Sequence, residues 1–426
     1  MRLNELLIYR IENDEYILND LLAAYEHYGD EQDSEYVREL VYEAMGGLFE
    51  MAANHGFYGN IWHCYLTNLL VNNDNAYSRM TEIRGEISGT INKAVLQDMG
   101  IFKEIFDMDF TKMCTYLDIR GFELLKDYEP AMEESKVYNT RVRKRICDLA
   151  QAFGGAEDAK EMKSLLTNFY KEYGVGTYGL HKSFRIEDVE GHARIVPILN
   201  IAHVKLDDLV GYDIPKQQLI ENTEAFIEGR KANNCLLYGD AGTGKSSSIK
   251  AITNAYYEQG LRVIEVYKHQ FKLLNDLIGQ IKNRNYRFII YMDDLSFEDF
   301  EIEYKYLKAV IEGGLEKKPD NILIYATSNK RHLVNETFSE REDNLHATDA
   351  MQEKLSLVSR FGVTIYYPSP QKKEFDNIVL SLAHRNNLKL SDEELIDQAN
   401  KWVMYHGSYS GRMAQQFIDN LLGRQK

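Results

Sequence analysis

Apolar residues recur along this chain with two different periods, and the change between them divides it. Up to about residue 175 the spacing is helical. Ser34 to Ala53 sets Val37, Leu40, Val41, Met45 and Leu48 at steps of three and four, the spacing of one buried stripe. Thr140 to Phe153, entered from a Tyr-Asn turn, follows the same pattern. These stripes predict an amphipathic helical bundle over 1–175, with several of the 29 tyrosines at its edges. Near 175 the period shortens. Gly-Val-Gly-Thr-Tyr-Gly leads to Ser183-Phe184-Arg185-Ile186 and then to Arg194-Ile195-Val196-Pro197-Ile198-Leu199. Such a run predicts a strand pair or an extended crossover over 176–199, with a domain border beside it.

From 200 onward strands and helices alternate. Apolar strands at 235–238, 262–267, 287–292, 321–326 and 363–367 are separated by helical stretches near 246–259, 269–283, 301–313 and 349–358. The predicted class is therefore α/β: a five-stranded parallel sheet covered on both faces, an αβα sandwich spanning 200–368. After Pro368 and Pro370 three helical patterns, 371–386, 391–405 and 409–422, predict a small helical appendage over 369–426.

The chemistry is concentrated in the alternating half. Gly239-Asp240-Ala241-Gly242-Thr243-Gly244-Lys245-Ser246 is a complete G-x-x-x-x-G-K-S loop. The apolar run Cys235 to Tyr238 precedes it, and a helix beginning at Ser246 and Ser247 follows. Glycines let such a loop turn its backbone N–H groups toward phosphate oxygens, and the helix N-terminus adds partial positive charge. Lys245 then reaches the β- and γ-phosphates, and the Ser246 hydroxyl ligates Mg²⁺. The expected ligand is a nucleoside triphosphate.

Later strand ends supply the remaining groups. Phe288 to Met292 runs into Asp293-Asp294, the arrangement in which the first acid holds the Mg²⁺ shell and the second orients a water. Asn321 to Ala326 ends in Thr327-Ser328-Asn329, which places Asn329 beside the γ-phosphate. Arg360, in Ser359-Arg360-Phe361-Gly362, stands where a cation can reach a neighbouring subunit's γ-phosphate, a contribution of ~10³–10⁵ in rate for such a finger. Arg412, in Ser410-Gly411-Arg412, opens the last helix and can fold back over the nucleotide.

In this order the motifs resemble those of the AAA+ ATPases. Leu206-Asp207-Asp208-Leu209-Val210-Gly211-Tyr212 matches the segment that packs on adenine in that superfamily, which implies roles for Val210 and Gly211. The stretches LVGYD, LLYGDAGTGKSS, MDDLSFE, ATSNKRHL, EKLSLVSRFG and SGRMAQQF look like the bacterial family known as domain of unknown function 815, predicted AAA+ ATPases. The resemblance covers at least 200–426 and implies ATP and Mg²⁺ as ligands, a helical lid and a homo-oligomer with ATP at subunit interfaces. Two departures stand out. The second acid is Asp294 rather than glutamate, with Glu298 as a substitute, so ATP can act more as a switch than as a fuel. Tyr267-Lys268-His269-Gln270-Phe271 lacks the aromatic-hydrophobic-glycine loop of threading unfoldases.

Charge and composition narrow the partner. Residues 1–200 hold 34 acidic against 21 basic side chains and 201–426 hold 32 against 29. An acidic first half repels a phosphate backbone and ranks a protein partner, met through the N-terminal bundle, above nucleic acid. No apolar run approaches the ~20 residues of a membrane span, and the first residues carry no signal-peptide pattern. Four widely spaced cysteines without a C-x-x-C pair read as buried hydrophobes of a reducing cytoplasm. His27, His55 and His63 form no metal pattern. Three functions follow: an ATP-hydrolysing machine that remodels a partner, an ATP-gated switch or loader, and a scaffold with a structural nucleotide.

Overall fold

The computed structural model describes residues 3–11, 15–29, 34–131, 135–199, 201–297, 303–312, 319–329 and 358–424. The chain divides into two compact units, one ending at His181 and one beginning at Lys182.

The first unit is helical: α1 (Tyr16–His27), α2 (Ser34–His55), α3 (Ile61–Asn72), α4 (Ala76–Thr81), α5 (Ile91–Phe106), α6 (Thr111–Tyr116), α7 (Thr140–Gly155), α8 (Ala159–Tyr173) and α9 (Gly176–Leu180). Side-chain caps fix several starts. Asn60 accepts from the His63 amide, Asn139 from Val142, and Asp158 from both Lys160 and Glu161, relieving amides that a helix leaves unpaired. Val37, Val41, Met45 and Leu48 face the core as their spacing predicts, while Leu40 is half-buried. Ahead of α1, the fully buried Asp98 of α5 accepts from the amides of Leu7, Ile8 and Tyr9 at 2.9, 2.7 and 2.9 Å. One carboxylate thus ties the leading segment to the bundle. All four cysteines are free, yet Cys64 on α3 and Cys147 on α7 bring their sulfurs within 3.8 Å, a proximity their sequence separation does not reveal.

The second unit is built on one sheet. Of the two forms expected within 176–199, the strand pair is present: after α9, β1 (Ser183–Val189) and β2 (His192–Pro197) make an antiparallel hairpin turning on Glu190 and Gly191, both with positive φ. β1 then pairs in parallel with β4 (Leu261–Glu265). With β3 (Cys235–Gly239), β5 (Arg287–Met292), β6 (Ile322–Ser328) and β7 (Val363–Tyr367), the sheet has seven strands in the order β2-β1-β4-β5-β6-β3-β7. This corrects the expected five-stranded sheet, because Phe184 and Ile186 of the hairpin are buried against the sheet rather than left in a linker. Every strand pair except β1–β2 is parallel.

Helices α10 (Asp213–Ile227), α11 (Lys245–Tyr256), α12 (Leu274–Ile281) and α13 (Glu303–Glu312) belong to this unit, and the helix expected at 349–358 lies outside the described residues except at Val358. α14 (Lys372–Arg385), α15 (Asp392–His406) and α16 (Gly411–Arg424) make the helical appendage, packed around Phe375, Val379, Leu395, Ala399 and Ile418. Among the described residues no helix is long and apolar enough to cross a membrane.

Two tests of stability follow. Asp98→Ala strands three amides where one anion held them, so the unfolding free energy should fall by on the order of 3 kcal/mol in denaturant titration. His63 donates from Nε2 to the Phe106 carbonyl, and burial lowers its pKa below the usual histidine value. A base held neutral in this way contributes stability that is complete above the unfolded-state value of about 6.5 and is lost as pH falls through the folded value. The unfolding midpoint should therefore drop between pH 7 and 5.5, and His63→Gln should flatten that drop.

Candidate functional site

In the sheet order, β6 separates β5 from β3, so the C-terminal ends of these three neighbouring strands open on one place. The glycine-rich loop leaves β3 there and enters α11 at Lys245. Two glycines in it lie close against other segments at positive φ. A Cβ on Gly239, at φ 138°, would overlap the Tyr367 carbonyl at the end of β7. A Cβ on Gly242, at φ 75°, would lie 3.0 Å from Arg412 Cβ and 3.1 Å from Ser410 Oγ at the start of α16. Gly242 also accepts a hydrogen bond from the Arg412 amide at 3.1 Å. The Asp240 carboxylate is drawn aside: Ser369, just after β7, donates to it from Oγ at 2.6 Å and from its amide at 3.2 Å.

Lys245 is buried, and its ammonium donates to the Gly239 and Asp240 carbonyls at 2.9 and 2.6 Å. Burial lowers its pKa against the opposing pull of Asp240, Asp294 and Asp293, and nearby Arg412 reinforces the lowering. A poorly hydrated cation among backbone amides at a helix start is a strong attractor for a polyphosphate.

The acid pair sits across from it. Ser246 Oγ donates to Asp293 Oδ1 at 2.7 Å, so the two residues expected to hold Mg²⁺ are in contact. The same oxygen accepts from Tyr291 and from Thr327, each at 2.6 Å. Burial raises the Asp293 pKa, but the hydroxyls of Thr327, Tyr291 and Ser246 with the Asp294 amide outweigh it and hold the carboxyl below its usual range. Asp294 adopts a left-handed backbone, φ 49°, a conformation aspartate tolerates better than most residues. Its amide donates to Thr327 Oγ1 at 2.9 Å, and Asn329 Nδ2 donates to its Oδ1 at 2.7 Å. Among the described residues no cluster of three or more His, Cys, Asp or Glu could enclose a metal by itself. A hydroxyl and a carboxylate as hard oxygen donors fit a magnesium ion that keeps water and substrate phosphates as its other ligands.

These groups line one cavity of about 800 Å³, within the range of small-ligand sites. Its polar end carries Lys245, Ser246, Asp293, Asp294, Thr327 and Asn329. Its other end is more apolar, with Val204, Leu209, Val210 and Tyr212 facing Ile378 and Leu382 of α14. Tyr212, itself at φ 57°, stacks on Tyr367 with ring centroids 5.4 Å apart and donates to the Pro368 carbonyl at 3.1 Å. Arg385 of α14 clamps the 206–208 turn through the Asp208 carbonyl at 3.0 Å and the Asp207 carbonyl.

Of the residues singled out in the sequence, Val210, Ala241, Gly242, Thr243, Gly244 and Lys245 line the cavity, as do Ser246, Ser247, Asp293, Asp294, Asn329 and Arg412. Gly211, Gly239 and Asp240 do not line it, nor does half-buried Arg360, in the turn before β7. Glu298 lies outside the described residues. Tyr291, Ser369 and Arg385 were not legible as site residues. Thr327 had a signal, as a hydroxyl at the end of a buried strand between two acid-bearing neighbours.

Comparison with known proteins adds the following. The model of a family described as "Protein of unknown function (DUF815)" matches residues 180–425. The replication factor C large subunit of Staphylothermus marinus is 34% identical over 85 residues, 20% of this chain and 19% of that protein. The chain thus spans about a fifth of the length of this relative. Two variants of Thermotoga maritima RuvB align with 51% of this chain and 72% of theirs, at 13% and 14% identity and TM-scores of 0.32 and 0.33.

The contact between Gly242 and α16 gives a direct test. Gly242→Val must displace Ser410 or Arg412 and strain a positive-φ position. Affinity for an adenine nucleotide, read by fluorescence titration, should fall at least tenfold. The helical content seen by circular dichroism should stay unchanged.

Proposed function

We propose, from the premise that the chain belongs to the family described as proteins of unknown function (DUF815), that it is an ATP-binding protein of AAA+ type which hydrolyses ATP. The observation that carries this reading is the 2.7 Å contact between Ser246 of the glycine-rich loop and Asp293 at the end of β5. It joins a phosphate cradle to a charged acid at one end of a cavity with room for a nucleotide. Lys245 and the α11 amides would bind the β- and γ-phosphates. Ser246 and Asp293 would hold Mg²⁺, which when bound supplies positive charge to the phosphate oxygens. Asp294 and Asn329, hydrogen-bonded to each other, would position the attacking water. The apolar end would take the base between Val210 and Leu382, and Arg412 would lie over the phosphates from the lid.

Arg360 stands apart from the cavity of its own chain, which supports its use by a neighbouring copy in a homo-oligomer. Turnover then drives a change in a partner held by the acidic N-terminal unit, a protein rather than a nucleic acid, in the cytoplasm. A second reading has its own support. Asp294 is held at a left-handed backbone position with one carboxylate oxygen engaged by Asn329, which favours slow hydrolysis and a nucleotide that gates docking.

Steady-state ATPase assays separate these readings. Wild-type turnover per chain should rise with protein concentration. Lys245→Ala should lower it at least a hundredfold, and Arg360→Ala should lower it a thousandfold while leaving nucleotide affinity within about threefold. Tight nucleotide binding with turnover near the buffer background would favour the switch. Turnover that is independent of concentration and unchanged in Arg360→Ala would remove the shared site.

A further inference from the structure

The Asp293 carboxylate is held more firmly than a metal-facing acid at a strand end requires. Three hydroxyls from three different elements converge on one of its oxygens, Oδ1: Ser246 from α11 at 2.7 Å, Tyr291 from β5 at 2.6 Å and Thr327 from β6 at 2.6 Å. Among the described residues no side chain donates to the other oxygen, Oδ2. Ser246 belongs to the phosphate loop and is accounted for by the nucleotide. Tyr291 and Thr327 are not. Both are buried, Tyr291 at 5% exposure and Thr327 at 1%. A phenol in this core carries the cost of burying its hydroxyl, and here that hydroxyl donates to Asp293, with Ser246 and Thr327 beside it. Thr327 is committed in both directions: it accepts the Asp294 amide at 2.9 Å, which aims its proton at Asp293.

We propose that Tyr291 and Thr327 are positioning residues for the divalent cation: they hold Asp293 by Oδ1 so that Oδ2 is the oxygen offered to the Mg²⁺ shell. The proposal rests on the nucleotide-binding reading above and deepens it. Tyr291 does not line the cavity, and Thr327 lines it at its polar end. Each acts through Asp293, by fixing the carboxylate's rotation. Thr327 carries a second duty. Through the Asp294 amide it fixes the backbone that presents the second acid, so one hydroxyl sets the spacing of both.

The experiment compares wild type with Tyr291→Phe and Thr327→Val, each of which removes one hydroxyl and keeps the shape, and with Thr327→Ser, which keeps the hydroxyl. Affinity for N-methylanthraniloyl-ATP is titrated first in EDTA and then against rising Mg²⁺. Of the two hydroxyl-deleted variants, Tyr291→Phe, which lies outside the cavity lining, should bind within twofold of wild type in EDTA. The Mg²⁺ concentration at half-maximal effect should rise five- to tenfold in each, and Thr327→Ser should recover most of the shift. Midpoints within twofold of wild type in both deletions would overturn the proposal and leave nucleotide binding standing. Equal loss in EDTA and in Mg²⁺ would also overturn it, because a merely structural role predicts that result. A wild type that binds no nucleotide would instead sink the underlying reading. Should Thr327→Val fail to fold, Tyr291→Phe decides alone.

Discussion

The parallel register among β5, β6 and β3 decides where every candidate group stands. Met292 pairs with Ala326, Leu237 with Thr327 and Tyr238 with Ser328, which brings Asp293, Thr327 and the start of the phosphate loop to one level. Side chains on a strand alternate with a period of two, so a slip of one residue would turn Thr327 and Asn329 to the opposite face and part them from both acids. β6 is buried at every position and hydrogen-bonded to both of its neighbours, so the two ladders together hold the strand ends, and the groups on them, in one register. Packing of the sheet and geometry of the site are the same constraint.

The phosphate loop is enclosed by contacts that leave it little freedom. Gly239 lies against the backbone end of β7, Asp240 is turned away from the cavity by Ser369, and Gly242 accepts from α16. Turning Asp240 outward has an electrostatic effect: with Asp293 and Asp294 already lining the cavity, a further carboxylate facing it would oppose a polyphosphate. Lys245 is left as the cation in the loop, and its burial makes it available for anions because water no longer solvates it fully. Two of these contacts come from residues beyond Pro368, so the lid helices and the loop are mechanically linked within this unit.

What could be read from the sequence was whatever is encoded locally. The glycine-rich loop, the acids closing an apolar strand and the capped helices each carry their signal within about fifteen residues. The pairing of β1 with β4 joins residues about eighty apart, and nothing in Ser183 to Val189 names its partner. Tyr291 looked like an ordinary β-strand aromatic, because its role depends on a carboxylate two residues on and a hydroxyl on the next strand. Arg385 and Ser369 were likewise hidden, since each works through a contact with a segment more than a hundred residues away. The sulfur pair of Cys64 and Cys147 belongs to the same class.

The hairpin has a practical consequence for anyone who shortens this protein. β4 carries its outer row of amides and carbonyls against β1, and β1 is screened in turn by β2. Cutting the chain at 200, where the motif-bearing half begins by composition, would strip both strands and leave a hydrophobic ladder open to any passing peptide. That is a recipe for aggregation. Cutting at 182 keeps the sheet sealed on that side.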